Sequence, residues 1–160
     1  MNSKLVFLAL VGLLTSCAST PDFDITQVDQ SLTPKSVISE AEINRGKTVL
    51  WGGTILDTRN LRDATNIEVL AYPLDTSQRP LLESKPLGRF IIVHQGYLEA
   101  ASYAQGRVLT VLGKVSGSRS GNVGESSYIY AVTSSEQLYL WSPDSGRNQT
   151  RFHPGVGIGL

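Results

Sequence analysis

Apolar and polar positions divide this 160-residue chain into regimes of different period. Lys4 precedes an apolar run from Leu5 to Leu14, and the small residues Thr15 and Ser16 follow it. A basic start, a short apolar run and small residues form the pattern of an export signal, which predicts removal of residues 1–16. At about 1.5 Å per helical residue such a run reaches roughly 15 Å, half of a hydrocarbon core of about 30 Å, so it does not span. From Ala18 to Leu32 isolated hydrophobes stand among polar residues, and residues 17–32 are predicted to be a tether. Thr33 to Gly46 predicts a short helix: Thr33 can cap it, Pro34 suits its first position, and Gly46 is a natural stop. Ser39 and Glu42 offer an alternative capping box, and Val37, Ile38 and Ala41 form the expected buried side.

Beyond Gly46 the period falls to two. Lys47 to Thr58 alternates, with Val49, Trp51, Gly53 and Ile55 on one face, and Asn66 to Leu74 places Ile67, Val69 and Ala71 on one face. Arg59 to Thr65 reads as the hairpin loop between them, and Pro73, Pro80 and Pro86 punctuate a loop before a β-branched strand at Gly88 to Val93. Gln95 to Gly106 reads as a short helix or turn, and Arg107 to Val115 as a fourth strand. Ser116 to Gly124 reads as a glycine-rich turn, followed by strands at Glu125 to Thr133 and Gln137 to Trp141. Five to six short strands with glycines inside them predict a mainly β fold, a small closed OB-like Greek-key barrel with short helices. A β-sandwich is the alternative. The expected domain covers residues 33–141, with a disordered tail over 142–160.

Cys17 is the only cysteine, so no disulfide is available within the chain. Leu14-Thr-Ser-Cys17 resembles the bacterial lipobox, in which the Cys is acylated and becomes the new amino terminus. Acyl chains on Cys17 would hold the protein to a membrane, since each buried methylene contributes about 0.8 kcal/mol and two chains make a stable anchor. Ala18 at the second mature position resembles the sorting pattern for the outer membrane. Removing Lys4 with the signal leaves 13 basic against 14 acidic residues, which argues against nucleic acid as a partner. No His, Cys and Asp cluster has metal-ligand spacing, so neither metal nor cofactor is expected, and His94 reads as a strand-end residue. Gly117 to Gly121 has Arg119 where a nucleophile elbow needs a nucleophile. Gly155 to Gly159 has no helix after it to complete a phosphate loop.

Gly46-Lys-Thr-Val-Leu-Trp-Gly-Gly, Ile67-Glu-Val-Leu-Ala-Tyr-Pro-Leu-Asp, Leu87-Gly-Arg-Phe, Gly96-Tyr-Leu-Glu, Gly106-Arg-Val-Leu-Thr-Val-Leu-Gly and Tyr128-Ile-Tyr occur in this order. Together they resemble the Slp family of outer-membrane lipoproteins, first recognised as starvation-inducible proteins of enteric bacteria. Ala131 departs from the proline expected after the Tyr-x-Tyr motif. The resemblance implies an outer-membrane location and a stress or stationary-phase setting, and it brings no catalytic residues. The expected function is therefore a non-enzymatic envelope lipoprotein that binds a protein or small ligand or supports the membrane. The alternative is a module for oligosaccharide, peptidoglycan or lipopolysaccharide, with Trp51, Tyr72, Arg59 and Arg62 as candidate contacts. For Trp51 a core position is the stronger expectation, because alternating-strand aromatics usually fill cores.

Overall fold

The computed structural model describes residues 21–143. The expected signal peptide, Cys17 and all but the first two residues of the expected tail lie outside the described residues. The elements are α1 (Pro34–Ser39), β1 (Thr48–Asn60), β2 (Ala64–Tyr72), β3 (Gly88–Gln95), β4 (Val108–Val123) and β5 (Ser126–Leu140). The strands close in the order β1-β2-β3-β5-β4; every neighbouring pair is antiparallel except β3 and β5, which are parallel. This is the closed OB-like Greek-key barrel, and the single closed sheet excludes the β-sandwich.

The predicted alternation holds where the barrel wall is two-sided. Val49, Ile55, Ile67, Val69, Phe90, Ile92, Leu109 and Val111 are all fully buried. Such a small barrel is filled by its own side chains rather than by a lumen. Val37 of α1, also fully buried, joins this core cluster. Leu98 and Tyr103, from the loop after β3, pack against the same cluster. Gly53 lies where β1 and β2 meet closely: a Cβ there would fall against the Leu70 carbonyl.

Several boundaries differ from the sequence expectation, each for a local reason. The Ser116 to Gly124 segment is strand, not turn, because Ser118 to Val123 pair with Ala131 back to Ser126. Its glycines serve other ends. Gly117, at φ +128°, sits at a register shift, and Gly121 leaves room for the Tyr130 ring. The two C-terminal strands expected from the sequence are one, β5, so there are five strands. Of the forms expected for 95–106, the turn is found: Thr58 Oγ1 donates to the Tyr103 carbonyl (2.7 Å) and Asn60 Nδ2 to that of Leu98 (3.0 Å). The β1–β2 turn shrinks to 61–63, because Arg59 and Asn60 still pair with Asn66 and Thr65. The helix is only Pro34–Ser39, and its capping box joins Thr33 to Ser36 rather than Ser39 to Glu42. Ile38 and Ala41 are half-buried.

Residues 21–32 run along the barrel as a strap. Phe23 is 6% exposed, and the Asp22 carbonyl accepts from Gln137 Nε2 (3.2 Å). Val28 forms a parallel bridge to Thr48, and the Asp29 N–H donates to the Thr48 carbonyl (2.9 Å). The strap finds a partner there because β2 pairs with β1 only from Gly52 onward. Among the described residues no helix is long and apolar enough to cross a membrane.

Candidate functional site

Gly52 faces Tyr72 across β1 and β2, which sets Trp51 and Tyr72 at the same end of this hairpin. Both line a groove of about 610 Å³ between the strap, the adjoining ends of β1 and β2, and the loop that follows β2. That volume is within the usual span of ligand clefts. From the strap come Ile25, Val28, Asp29 and Leu32; from the loop come Pro73, Leu74, Asp75 and Gln78.

The loop wall is fixed by its own hydrogen bonds. Asp75 Oδ1 accepts from the N–H groups of Ser77 (2.8 Å) and Arg79 (2.9 Å), an Asx-type turn. Gln78, at φ +67°, turns its carbonyl to Thr110 Oγ1 (2.7 Å), and the Leu81 N–H returns to the Pro73 carbonyl (2.8 Å). On the strap, Asp29 Oδ1 accepts from the hydroxyl and N–H of Ser31. The Ser31 hydroxyl, then its N–H, hold the Asp29 carboxyl below the usual carboxylate range. Lys47 Nζ stands 3.6 Å from Asp29, and both side chains are partly exposed.

Trp51 is 5% exposed, packs edge-on against Phe90 at 5.2 Å between ring centroids, and donates its indole N–H to the Leu32 carbonyl (2.9 Å). It is a core residue that touches the groove, with no ring face left for a sugar to stack on. Tyr72 is half-buried. Arg59 and Arg62 belong elsewhere. Arg59 is exposed beside Asp57 (3.6 Å), and Arg62 is exposed in the β1–β2 turn. Eight steps along the strand separate Arg59 from Trp51, roughly 26 Å at about 3.3 Å each. The four predicted contacts therefore do not form one site. Sequence reasoning missed the strap and loop residues; the signal was the spaced Phe23, Ile25, Val28 and Leu32 in a stretch otherwise polar.

Other polar groups close on one another. Arg89 Nη1 meets Glu68 Oε1 at 2.7 Å, and the Tyr130 hydroxyl donates toward the same oxygen (3.3 Å) and the Asn122 carbonyl (3.1 Å). Burial first, and then the Glu68 charge, push the Tyr130 phenol above its ordinary pKa. His94 Nδ1 lies 2.8 Å from Ser135 Oγ on the neighbouring strand. A second depression of about 460 Å³ is lined by Arg79, Leu82, Arg107 and Trp141, among others. There the Arg79 guanidinium sits over the Trp141 ring at 5.2 Å, and Arg107 Nη2 donates to the Trp141 carbonyl (3.2 Å). Among the described residues no three of His, Cys, Asp and Glu gather as a metal-binding group.

Comparison with known proteins gives the geometry a lineage. The chain is 31% identical over 140 residues to an uncharacterised protein of Haemophilus influenzae, covering 86% of this chain and 75% of that one. It is 27% identical to the lipoprotein YeaY of Escherichia coli K12, over 75% of this chain and 62% of that protein. It is 24% identical to the outer membrane protein Slp of the same organism, over 88% and 76% of the two chains. Among solved structures, the single-stranded-DNA complex of Pot1pC from Schizosaccharomyces pombe aligns at TM-score 0.32 and 9% identity, over 80% of this chain and 91% of that one. That likeness is too slight to argue from. The family model for the outer membrane lipoprotein Slp family matches residues 14–157, nearly the whole sequence. A lipoprotein of the outer membrane, the chain belongs to the Slp family.

Proposed function

We propose that this outer membrane lipoprotein is a non-enzymatic binding module, anchored through acyl chains on Cys17 and facing the periplasm. Its groove beside Tyr72 receives an envelope protein or small ligand in the stressed or stationary-phase cell. The groove itself carries the reading: a cleft of about 610 Å³ with a largely apolar lining, walled by a hydrogen-bonded loop and by the strap that leads to the anchor. The non-enzymatic part rests on the pairing of the polar clusters with each other, Arg89 with Glu68 and Tyr130, and His94 with Ser135. The stress setting rests on the family. The oligosaccharide, peptidoglycan or lipopolysaccharide reading is weaker, because Trp51 offers no face to stack on and Arg59 and Arg62 stand at the far end of β1. A photo-crosslinking amino acid at Tyr72 in intact stationary-phase cells tests the proposal. A discrete adduct is expected at Tyr72 and none from Ser120, exposed on β4. Equal labelling at both positions, or no adduct at Tyr72, defeats it.

A further inference from the structure

The charge of the groove narrows what it can hold. Among the described residues that line it, Asp29 and Asp75 are the only charged ones; no Lys, Arg or His is among them. Neutral donors fix the position of each carboxylate: Ser31 for Asp29, and the Ser77 and Arg79 N–H groups for Asp75. The ordinary competitor for Asp29 is Lys47 at 3.6 Å, but that pair is half open to water and correspondingly screened. The Arg79 side chain, which follows Asp75 closely in sequence, carries its guanidinium over Trp141. The Trp51 indole N–H is committed to Leu32, so this residue brings the groove no free donor for an anion. Tyr72 adds an aromatic ring, whose quadrupole attracts cations. Anionic ligands such as a fatty acid or a lipid phosphate would meet two carboxylates and no cation among the lining residues, an arrangement that disfavours them.

Resting on the reading of the groove as the binding site, we infer that its ligand is a lipophilic organic cation, an apolar body with a positive centre held near Asp29 and Asp75. The apolar body lies along Val28, Leu32, Leu50 and Leu74, and the positive centre replaces part of its hydration with the two carboxylates. Because strap and loop both line the groove, a cation held by both carboxylates would tie the strap to the barrel.

The matched ions tetraphenylphosphonium and tetraphenylborate have nearly the same shape and opposite charge, so they test the sign directly. Equilibrium dialysis uses the full lipidated chain in neutral phosphatidylcholine vesicles, with protein-free vesicles to subtract partitioning into the bilayer. Saturable binding of the phosphonium is expected, with the borate weaker by about tenfold or more. Asp29→Asn and Asp75→Asn keep the oxygen that accepts the turn hydrogen bonds; each should weaken the phosphonium several-fold. Glu125→Gln removes the same charge from the exposed β4–β5 turn and should leave binding unchanged. Equal binding of the two ions, or phosphonium binding indifferent to both Asp substitutions, overturns the cation assignment while leaving the groove as a charge-blind apolar site. An absence of saturable binding by either ion overturns it too, and the Tyr72 crosslink then separates the two failures: an adduct preserves the groove, whereas none removes both.

Discussion

Trp51 and Gly53 stand two residues apart on one strand and fail in different ways. Trp51 fills the barrel against Phe90 and ties its indole N–H to the strap. Trp51→Ala should cost about 3–5 kcal/mol, the usual range for a large aromatic removed from a core, and should lower the urea midpoint with little change in slope. A near-native midpoint would show that the ring contributes little packing. Gly53→Ala acts through space rather than through a cavity. The new Cβ falls against the backbone carbonyl of Leu70, which no rotamer change can relieve, so strands β1 and β2 must part. A loss of at least the roughly 1–3 kcal/mol typical of overpacking is expected, from a single methyl group. Both residues carry a strand-face signature in the sequence. What the pattern lacks is the hydrogen bond from Trp51 to Leu32, nineteen residues away.

The strap is the element whose character depends most on its surroundings. Phe23, Ile25, Val28 and Leu32 form no regular period, so local pattern gives them no element to belong to. Their order comes from the free edge of β1 at Thr48 and from Gln137 on β5. Few hydrogen bonds hold the strap, so it should open at a lower free energy than the barrel. Phe23→Ala is expected to speed trimming of the strap by proteinase K while leaving the melting temperature of the barrel almost unchanged. A fall in melting temperature as large as that of Trp51→Ala would make strap and barrel one cooperative unit. Acid acts on the same element. The Thr26 hydroxyl and N–H hold Asp24, and those of Ser31 hold Asp29, below the usual carboxylate range. A depressed pKa adds stability that is complete above the ordinary carboxylate range and is lost as pH falls through the depressed value. The Thr26 and Ser31 amide shifts should therefore titrate with midpoints below that of a free aspartate, and midpoints at the free value would show the turns to be open in solution.

The molecule as a whole is a closed barrel with a strap laid along it. Membership of the Slp family places it at the outer membrane as a lipoprotein, and the lipobox resemblance points to Cys17 as the attachment point. Cys17→Ser should move the protein from the membrane fraction to the soluble one or leave it uncleaved, with loss of palmitate labelling. Palmitate that persists in this variant would place the lipid elsewhere. The groove opens beside the strap, so lipid carried on Cys17 would bring the groove near the membrane surface. Strap residue Ile25 is eight residues from Cys17, at most about 29 Å of extended chain.

The sequence by itself determined the β class, the closed OB-like barrel, the core face of β1 and β2, the helix cap at Thr33 and the family. Each follows from local signals: a period of two, proline and glycine at fixed offsets, and motifs in order. Only the tertiary structure decided that Ser116 to Gly124 is strand and that β5 is continuous, because glycine reads as a turn until a partner strand and the Tyr130 ring occupy the space it leaves. The groove also belongs to that level. Its walls come from residues 25–34 and 71–87, joined across β1 by hydrogen bonds between residues distant in sequence, and nothing local to either segment announces the other. Arg59 and Arg62 separate from Trp51 and Tyr72 for the same reason. β1 is 13 residues long, and its length carries its two ends to opposite ends of the barrel.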